Sequence, residues 1–384
     1  MVRNIEVAII GAGLGGLAAA CALRGLGIDA TVYERAPQLG EVGAGIQLGP
    51  NAVKVLRALG VERELRDFAF EPVSYASLAW DDAHMRYREP MKGDVEAQFG
   101  APYLMAHRAD LHRLLCECLS AGHVRLNAAC TRVATSGAAA VAYFADGSQV
   151  EADVIIGADG INSAVRECLF GAQPVRFTQQ MAWRCIVPIE CVPTEVGIGR
   201  DEYVGWIGPD GHVICYPIRG GALYNIFAGH VSDQWVEESW VVPSSIDELL
   251  AGYRGWNAAL LGMLGQVTEC FKWGIRDRDP LPRWTEGRVT LLGDAAHPMM
   301  PTLAQGAAQA LEDGVALARW LDRHRDDPAR GLAGYEAERR PRAARVVLQA
   351  REQFQNNRKN PAPPPLSRDW IFAHDATAEG VPAA

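Results

Sequence analysis

Hydrophobic and polar positions follow two rhythms along this chain, one of helical spacing and one of strict alternation. Glu6 to Ile10 (EVAII) is a short apolar run. The Ala/Leu-rich stretch after GAGLGG keeps helical spacing, and Ala30 to Glu34 (ATVYE) is a second short run. The N-terminus therefore predicts a strand–helix–strand unit. A Gly-rich loop enters the amphipathic segment PNAVKVLRALGV, and PYLMAHRADLHRLL predicts a strand end and then a helix with Asp110 in its first turn. AAVAYFADGSQVEADVIIG predicts a hairpin turned at Asp146-Gly147 and a buried strand over Val154 to Ile156.

From about Phe177 to Gly229 alternation takes over, with aromatics and turns. WIGPDGHVICYPIRGGALYNIFAG predicts an antiparallel meander. Helical spacing returns over Ser245 to Gly265, Gly306 to His324 and Tyr335 to Gln355, the last Arg-rich on its polar face. NPAPPPLSRDW predicts an exposed Pro-rich tail. The pattern as a whole predicts an α/β fold. A Rossmann-like domain (1–72, 102–176 and 276–330) is interrupted by a smaller β-sheet domain (73–101 and 177–275), with a C-terminal helix and tail over 331–384.

Composition narrows the picture. The 384 residues are 49% hydrophobic and 22% charged, as in a globular chain with a sizeable core. A net charge of −9 argues against general binding to nucleic acid or to an anionic membrane. The N-terminal apolar run is too short for a signal peptide or a span, which points to the cytoplasm. The nine cysteines form no C-x-x-C pair, so neither a disulfide framework nor a metal site is expected, and most read as small core residues.

Three motifs carry the chemistry. Gly11-Ala-Gly13-Leu-Gly15-Gly16 is a G-x-G-x-x-G turn between strand and helix. Gly11 suits the tight turn, Gly13 the approach of a pyrophosphate, and Gly16 close helix–strand packing. The helix N-terminus offers free N–H groups to phosphate. Glu34 lies 18 residues past Gly16 and would accept from ribose hydroxyls. The bland alternative is a Gly-rich turn without ligand, and the motif does not choose between NAD and FAD. In the second motif a strand runs into Gly-Ala-Asp159-Gly160, and Ser163 caps the helix that carries Arg166. The third, Gly287-Arg-Val-Thr-Leu-Leu-Gly293-Asp294-Ala-Ala-His297-Pro298, repeats that geometry with Asp294 at a strand end.

With these motifs in this order, and with EVGAGIQLGPNA, HRADLH and YVGWIGPDGHVICYPIRGG, the chain resembles the flavin-dependent aromatic hydroxylases, the single-component class A monooxygenases, over about Ile5 to Arg345. Within that family it is most similar to the salicylate, 3-hydroxybenzoate and 6-hydroxynicotinate hydroxylases. The resemblance implies a p-hydroxybenzoate-hydroxylase-like fold whose Rossmann-like domain holds FAD. Gly11, Gly13, Gly15, Gly16 and Glu34, with Arg35 beside it, would hold the adenosine half, and Arg108 the diphosphate side. Asp294 would bond the ribityl–pyrophosphate region, Gln305, Gly306 and Ala307 would anchor the flavin ring, and Gln47 would lie beside it. Asp159 and Arg166 would serve the groove between FAD and nicotinamide. NADH or NADPH would visit as transient reductant and O2 would be co-substrate, with a flavin C4a-hydroperoxide as the hydroxylating species. The expected partner is a small aromatic substrate, with the chain a monomer or homodimer.

Candidate bases come from the β-rich middle. His212 and Tyr216 are four apart in GHVICYPI, so they share one strand face, and histidine has a suitable pKa for taking a phenolic proton. The resemblance places a substrate-contacting histidine and tyrosine here. Tyr224 and Trp183 read as core aromatics, and His297 as loop architecture. Met299 to Thr302 would edge the substrate cavity, Pro301 among them, standing where the 3-hydroxybenzoate enzymes carry glutamine. Gln47 stands where the 6-hydroxynicotinate enzymes carry histidine. The shared H-P-M-x-P-x-x-A-Q-G pattern favours a salicylate-type hydroxylation, with or without decarboxylation, of a hydroxylated aromatic or N-heteroaromatic acid. An anionic substrate would want an arginine, for which Arg184 and Arg219 are candidates against a reading as surface charge. The alternatives from other classes are a nicotinamide dehydrogenase without flavin and a non-catalytic flavin redox sensor.

Overall fold

In the computed structural model the described residues are 4–40, 44–119, 122–137, 139–232, 242–359 and 363–378. Two sheets organise them. In the first, Glu6–Ile10 lies at the centre, paired in parallel with Asp29–Tyr33 and with Val154–Gly157. Val154–Gly157 pairs in parallel with Val289–Leu291. Val7, Ile9, Val154, Ile155, Ile156 and Leu291 are all buried, as expected for strands covered on both faces. The parallel pairing brings four strand ends, and hence Gly11, Glu34, Asp159 and Asp294, to one edge of the sheet.

The second sheet has eight strands, drawn from Ser74–Pro90 and Arg176–Asp277. Its strand order places Gly211–Ile218 between Leu223–Val231 and Tyr203–Ile207. Alternation sorts the side chains onto two faces. The back face buries Trp183, Cys215, Tyr224 and Trp206 against the helices Ile246–Gly252 and Ala258–Leu264. The front face carries Tyr203, His212, Tyr216, Asn225 and Phe227, as the cross-strand pairs Ile207–His212, Tyr216–Asn225 and Arg184–Phe227 require. Against it lies the two-stranded ribbon Gly45–Leu48/Leu104–His107. Contact there is intimate: Gly45 N–H donates to Asn225 Oδ1 at 2.6 Å, and a Cβ on Gly45 would come within 2.7 Å of the Tyr216 hydroxyl oxygen.

The helix Gly306–Arg323 packs on Leu14–Gly25 through small residues. A Cβ on Gly314 would sit 2.8 Å from Ala19 N, and one on Gly15 2.9 Å from Ala310 Cβ. The helix Pro328–Asn357 begins seven residues before the predicted Tyr335, because Asp327 caps it and Pro328 pre-sets the first turn. It brings Arg339 onto two adjacent acids. Arg339 Nε donates to Asp313 Oδ1 at 2.7 Å, one terminal nitrogen to Glu312 Oε2 at 2.6 Å and the other to Gln309 Oε1 at 2.9 Å. All four side chains are fully buried.

The tail differs from the sequence expectation. Ile371 and Phe372 are buried, so the segment after the prolines is a packed strap. The reading of the cysteines as core holds for Cys185, Cys215 and Cys270, whereas Cys118 and Cys168 are exposed. Among the described residues no helix is long and apolar enough to cross a membrane.

Arg339→Met leaves Glu312 and Asp313 buried without their main counter-ion, and should cost about 3–5 kcal/mol at neutral pH by denaturant titration. Burial alone would raise both carboxyls, but Arg339, with Arg342 at Glu312 and His297 at Asp313, holds them below their ordinary values. That stabilisation is present above the unfolded carboxylate range and is lost as pH falls toward the folded values. The deficit of the variant should therefore shrink as pH falls below ~4; a deficit constant with pH would contradict the charge argument.

Candidate active site

The glycine turn is built as its spacing demands. Gly11 has φ of +108°, and a Cβ there would lie 2.4 Å from Ala158 O. A Cβ on Gly16 would lie 2.1 Å from Gly11 O, so helix and strand meet at a distance only glycine allows. Gly13, by contrast, faces open space at the N-terminus of Leu14–Gly25. Glu34 Oε2 accepts from Ala12 N–H at 2.8 Å and Oε1 from Ala36 N–H at 2.9 Å, which fixes the carboxylate at the strand end beside the turn. Arg35 next to it is exposed.

The second and third motifs interlock. Ser163 caps its helix, accepting from Arg166 N–H at 2.9 Å, and donates to Asp159 Oδ1 at 2.5 Å. Asp159 Oδ2 accepts from Val165 N–H at 3.2 Å. Arg166 is buried and donates to Ala295 O at 3.1 Å and Gln173 Oε1 at 2.7 Å, its pKa lowered to about 10 by burial and by Arg278. Asp159 thereby holds the start of its own helix, and Arg166 ties that helix to the Gly-Asp loop. Burial raises the Asp294 carboxyl, against the pull of His297 and Arg108. Arg108 begins the helix Arg108–Glu117. Asp110 in its first turn is bonded by Arg219 at 2.9 Å.

Beneath the Gly-Asp loop lies a network the sequence did not announce. Asp313 accepts from Gly293 N–H at 3.0 Å and from His297 Nε2 at 2.6 Å. His297 also lies against Trp284, with ring centroids 5.3 Å apart. Asn51 Nδ2 donates to Glu312 Oε1 at 2.6 Å and to Gln305 Oε1 at 3.0 Å. His297 is thus part of the loop's support. The available signal was the pair Glu312-Asp313 amid the small and apolar residues of the helix's first half, where buried acids need partners.

On the front face Gln47 is a hub. Tyr103 donates to its Oε1 at 2.8 Å, and its side chain is also within hydrogen-bonding reach of the Tyr203 and Tyr216 hydroxyls. Tyr203 stacks on Tyr103 and meets Tyr216 edge-on, at centroid distances of 6.5 and 6.1 Å. His212 shares this face with Tyr216, stacks on Phe227 at 5.5 Å, and is lowered to about 4 by burial. Among the described residues neither of its ring nitrogens makes a hydrogen bond. Trp183 and Tyr224 lie on the back face, as core. Arg184 is on the front face, its guanidinium 3.8 Å over Trp273. Met300 and Leu303 join the tyrosines in one apolar cluster, whereas Pro301 is exposed and Thr302 donates to Ala350 O at 2.6 Å.

These residues fit FAD. Gly13 offers an open cradle at a helix end, and the first amides of Gly306–Arg323 carry no side-chain cap. A Cβ on Gly306 would meet nothing nearer than Asp294 Oδ1 at 3.9 Å. Gln305 Nε2, at the same helix end, is a buried donor without a partner among the described residues. Those free N–H groups suit the phosphates and the electron-rich edge of a flavin.

Comparison with known proteins agrees. A family model described as FAD binding domain matches residues 4–350. The chain is 37% identical to a 3-amino-4-hydroxybenzoate 2-monooxygenase of Streptomyces platensis, covering 98% of this chain and 97% of that protein. It is 38% identical to the 6-hydroxynicotinate 3-monooxygenase of Bordetella bronchiseptica, covering 97% and 96%. Among solved structures, Klebsiella pneumoniae HpxO complexed with FAD and uric acid superposes with a TM-score of 0.84 at 27% identity, over 93% of this chain and 90% of that one.

Gly16→Val should abolish flavin retention, since the side chain would collide with Gly11 O and push helix from strand. The check is flavin absorbance of the purified protein; a variant that still holds FAD stoichiometrically would refute the cradle.

Proposed function

Since the chain belongs to the FAD-binding family that includes the flavoprotein aromatic hydroxylases, and is an FAD-dependent aromatic monooxygenase, we propose that its substrate is a ring bearing both a hydroxyl and a carboxylate. The reaction is hydroxylation of that ring with consumption of NAD(P)H and O2, of salicylate-hydroxylase type, with the carboxylate retained or lost as carbon dioxide. The observation that carries this reading is the front face, where the hydroxyls of Tyr216, Tyr203 and Tyr103 gather around Gln47, with His212 on the same face of the strand as Tyr216. The names of the two relatives agree: each specifies a ring with a hydroxyl and a carboxylate.

Bound FAD supplies the redox chemistry, accepting hydride from the nicotinamide and activating oxygen. Gly11 to Gly16, Glu34, Arg108 and Asp294 would hold it, with Gln305 to Ala307 at its ring. The chain's own residues do the rest. His212 is neutral at physiological pH, so a ring nitrogen is available to take the phenolic proton and make the ring electron-rich. Burial pushes the Tyr216 hydroxyl up, so it stays protonated and donates. Tyr203, Tyr103 and Met300 shut water from this side of the cavity.

Oxygen uptake with NADH should rise severalfold when the right acid from a panel of hydroxybenzoates, hydroxynicotinates and hydroxyquinoline carboxylates is added, with an oxygenated product by mass spectrometry. A protein that binds FAD yet responds to none of them would instead favour the redox-sensor reading. His212→Gln should lower kcat by about 100-fold, within the range for general-base removal, without loss of FAD. Undiminished turnover would remove it as base.

A further inference from the structure

The C-terminal strap is bound as firmly as an internal element. Leu366 N–H donates to Gln353 Oε1 at 2.7 Å, and Trp370 Nε1 to Gln349 Oε1 at 2.9 Å. Arg342 donates to Ile371 O at 3.0 Å, and Lys54 to the carbonyls of Phe372 and Ala373 at 3.1 Å. The Arg345 guanidinium lies 3.8 Å over the Trp370 ring. Phe372 is thereby set edge-on against Tyr103, with centroids 5.7 Å apart, inside the cluster that holds Tyr203 and Tyr216.

This anchoring delivers Arg368. Its guanidinium lies 5.1 Å from the Phe372 ring and within hydrogen-bonding reach of the Tyr103 hydroxyl, the same hydroxyl that donates to Gln47. Tyr75, Tyr87, Tyr103 and Tyr203 surround it. Tyr75 and Tyr203 touch, with centroids 4.5 Å apart. Among the described residues no carboxylate pairs with Arg368. Asp375 is taken by Thr377, and Glu312 by Arg339 and Arg342. Burial raises the hydroxyls of Tyr75, Tyr103 and Tyr203, so they remain neutral and none serves as counter-ion. A half-buried cation flanked by neutral hydroxyls is less favourable alone than beside an anion. The arginines suggested by the sequence are otherwise engaged. Arg219 is tied to Asp110, and Arg184 is stacked on Trp273.

We propose that Arg368, presented by the C-terminal strap at the tyrosine cluster around Gln47, recognises the carboxylate of the ring substrate. This rests on the reading of the substrate as a ring acid. Arg368 is a specificity-determining residue and takes no part in proton or oxygen transfer. A guanidinium matches a carboxylate in shape and charge, and the neighbouring hydroxyls supply further neutral donors.

The test uses FAD-loaded full-length enzyme and matched probes: 3-amino-4-hydroxybenzoate with 2-aminophenol, and 6-hydroxynicotinate with 2-hydroxypyridine. Each pair differs by the carboxylate alone. Binding is followed by the change in flavin absorbance. Wild type should prefer the acid in at least one pair. Arg368→Gln should weaken that acid by about 10- to 100-fold and leave the neutral ring unchanged, as expected for loss of a charge-assisted pair. Arg368→Lys should recover part of the affinity. Flavin content and melting temperature, read on every variant, should match wild type. Equal loss for acid and neutral ring, or loss of flavin or folding in both variants, would mean a structural role and overturn the proposal. So would unchanged acid binding in Arg368→Gln. If wild type binds neutral rings as well as acids and still consumes oxygen with them, the hydroxylase stands and the carboxylate inference falls. If it binds none of the probes and no panel member stimulates oxygen uptake, the proposed substrate class falls and takes this inference with it.

Discussion

Burial of Arg339 between Glu312 and Asp313 is the constraint on which the rest of the site depends. Three charged groups without solvent exposure are tolerable only when every polar atom has a partner. The partners available are the functional segments themselves. Asp313 holds Gly293 N–H and His297, and so fixes the loop that carries Asp294. Glu312 holds Asn51, at the start of the helix that follows the Gln47 strand, and Arg342, which reaches the carbonyls of the strap. One ionic knot thus sets the relative positions of the Gly-Asp loop, the Gln47 strand and the C-terminal segment.

The second sheet is joined to this knot through close backbone approach. Gly45 brings its strand against Tyr216 and Asn225 with no room for a side chain. Gln47, two residues on, then reaches three tyrosine hydroxyls. On the other side, Asp277 at the end of the strand Cys270–Asp277 accepts from Arg176 at 2.8 Å and from Arg351 of the long helix at 2.6 Å. The front face is therefore pinned at both ends to elements that also support the cofactor cradle. Movement of one relative to the other has to break buried bonds.

What was legible in the sequence follows from how local the chemistry is. The glycine turn, the acid at the second strand end and the Ser163 cap are determined within a few residues, so their spacing suffices. Strand parity was equally readable: His212 and Tyr216 share a face, and Trp183 and Tyr224 take the core role given them. The ionic network was not readable, because its partners are brought together by the fold. Arg339 lies 26 residues from Asp313, and Asn51 lies 261 from Glu312. The strap escaped for a related reason. Its prolines suggest exposure, while the apolar triad Trp370-Ile371-Phe372 and the aromatic wall it completes are far apart in sequence. Arg368 is hidden with it, whereas Arg184 and Arg219 stand in the β-rich middle itself.

The electrostatics of the front face have a consequence for the order of events. With no anion present, His212 is held neutral by burial, tyrosine hydroxyls are held protonated, and Arg368 has no carboxylate partner among the described residues. Such a surface favours the entry of an anion over that of a neutral ring of the same shape. A negative charge near a buried imidazole raises its proton affinity, since it stabilises the cationic form that burial penalises. On the proposed reading, a ring acid would therefore strengthen the base that deprotonates it, and His212 would be weakly basic until the cavity is filled. Proton removal would then be linked to occupancy by the electrostatics of the site alone, without a conformational switch.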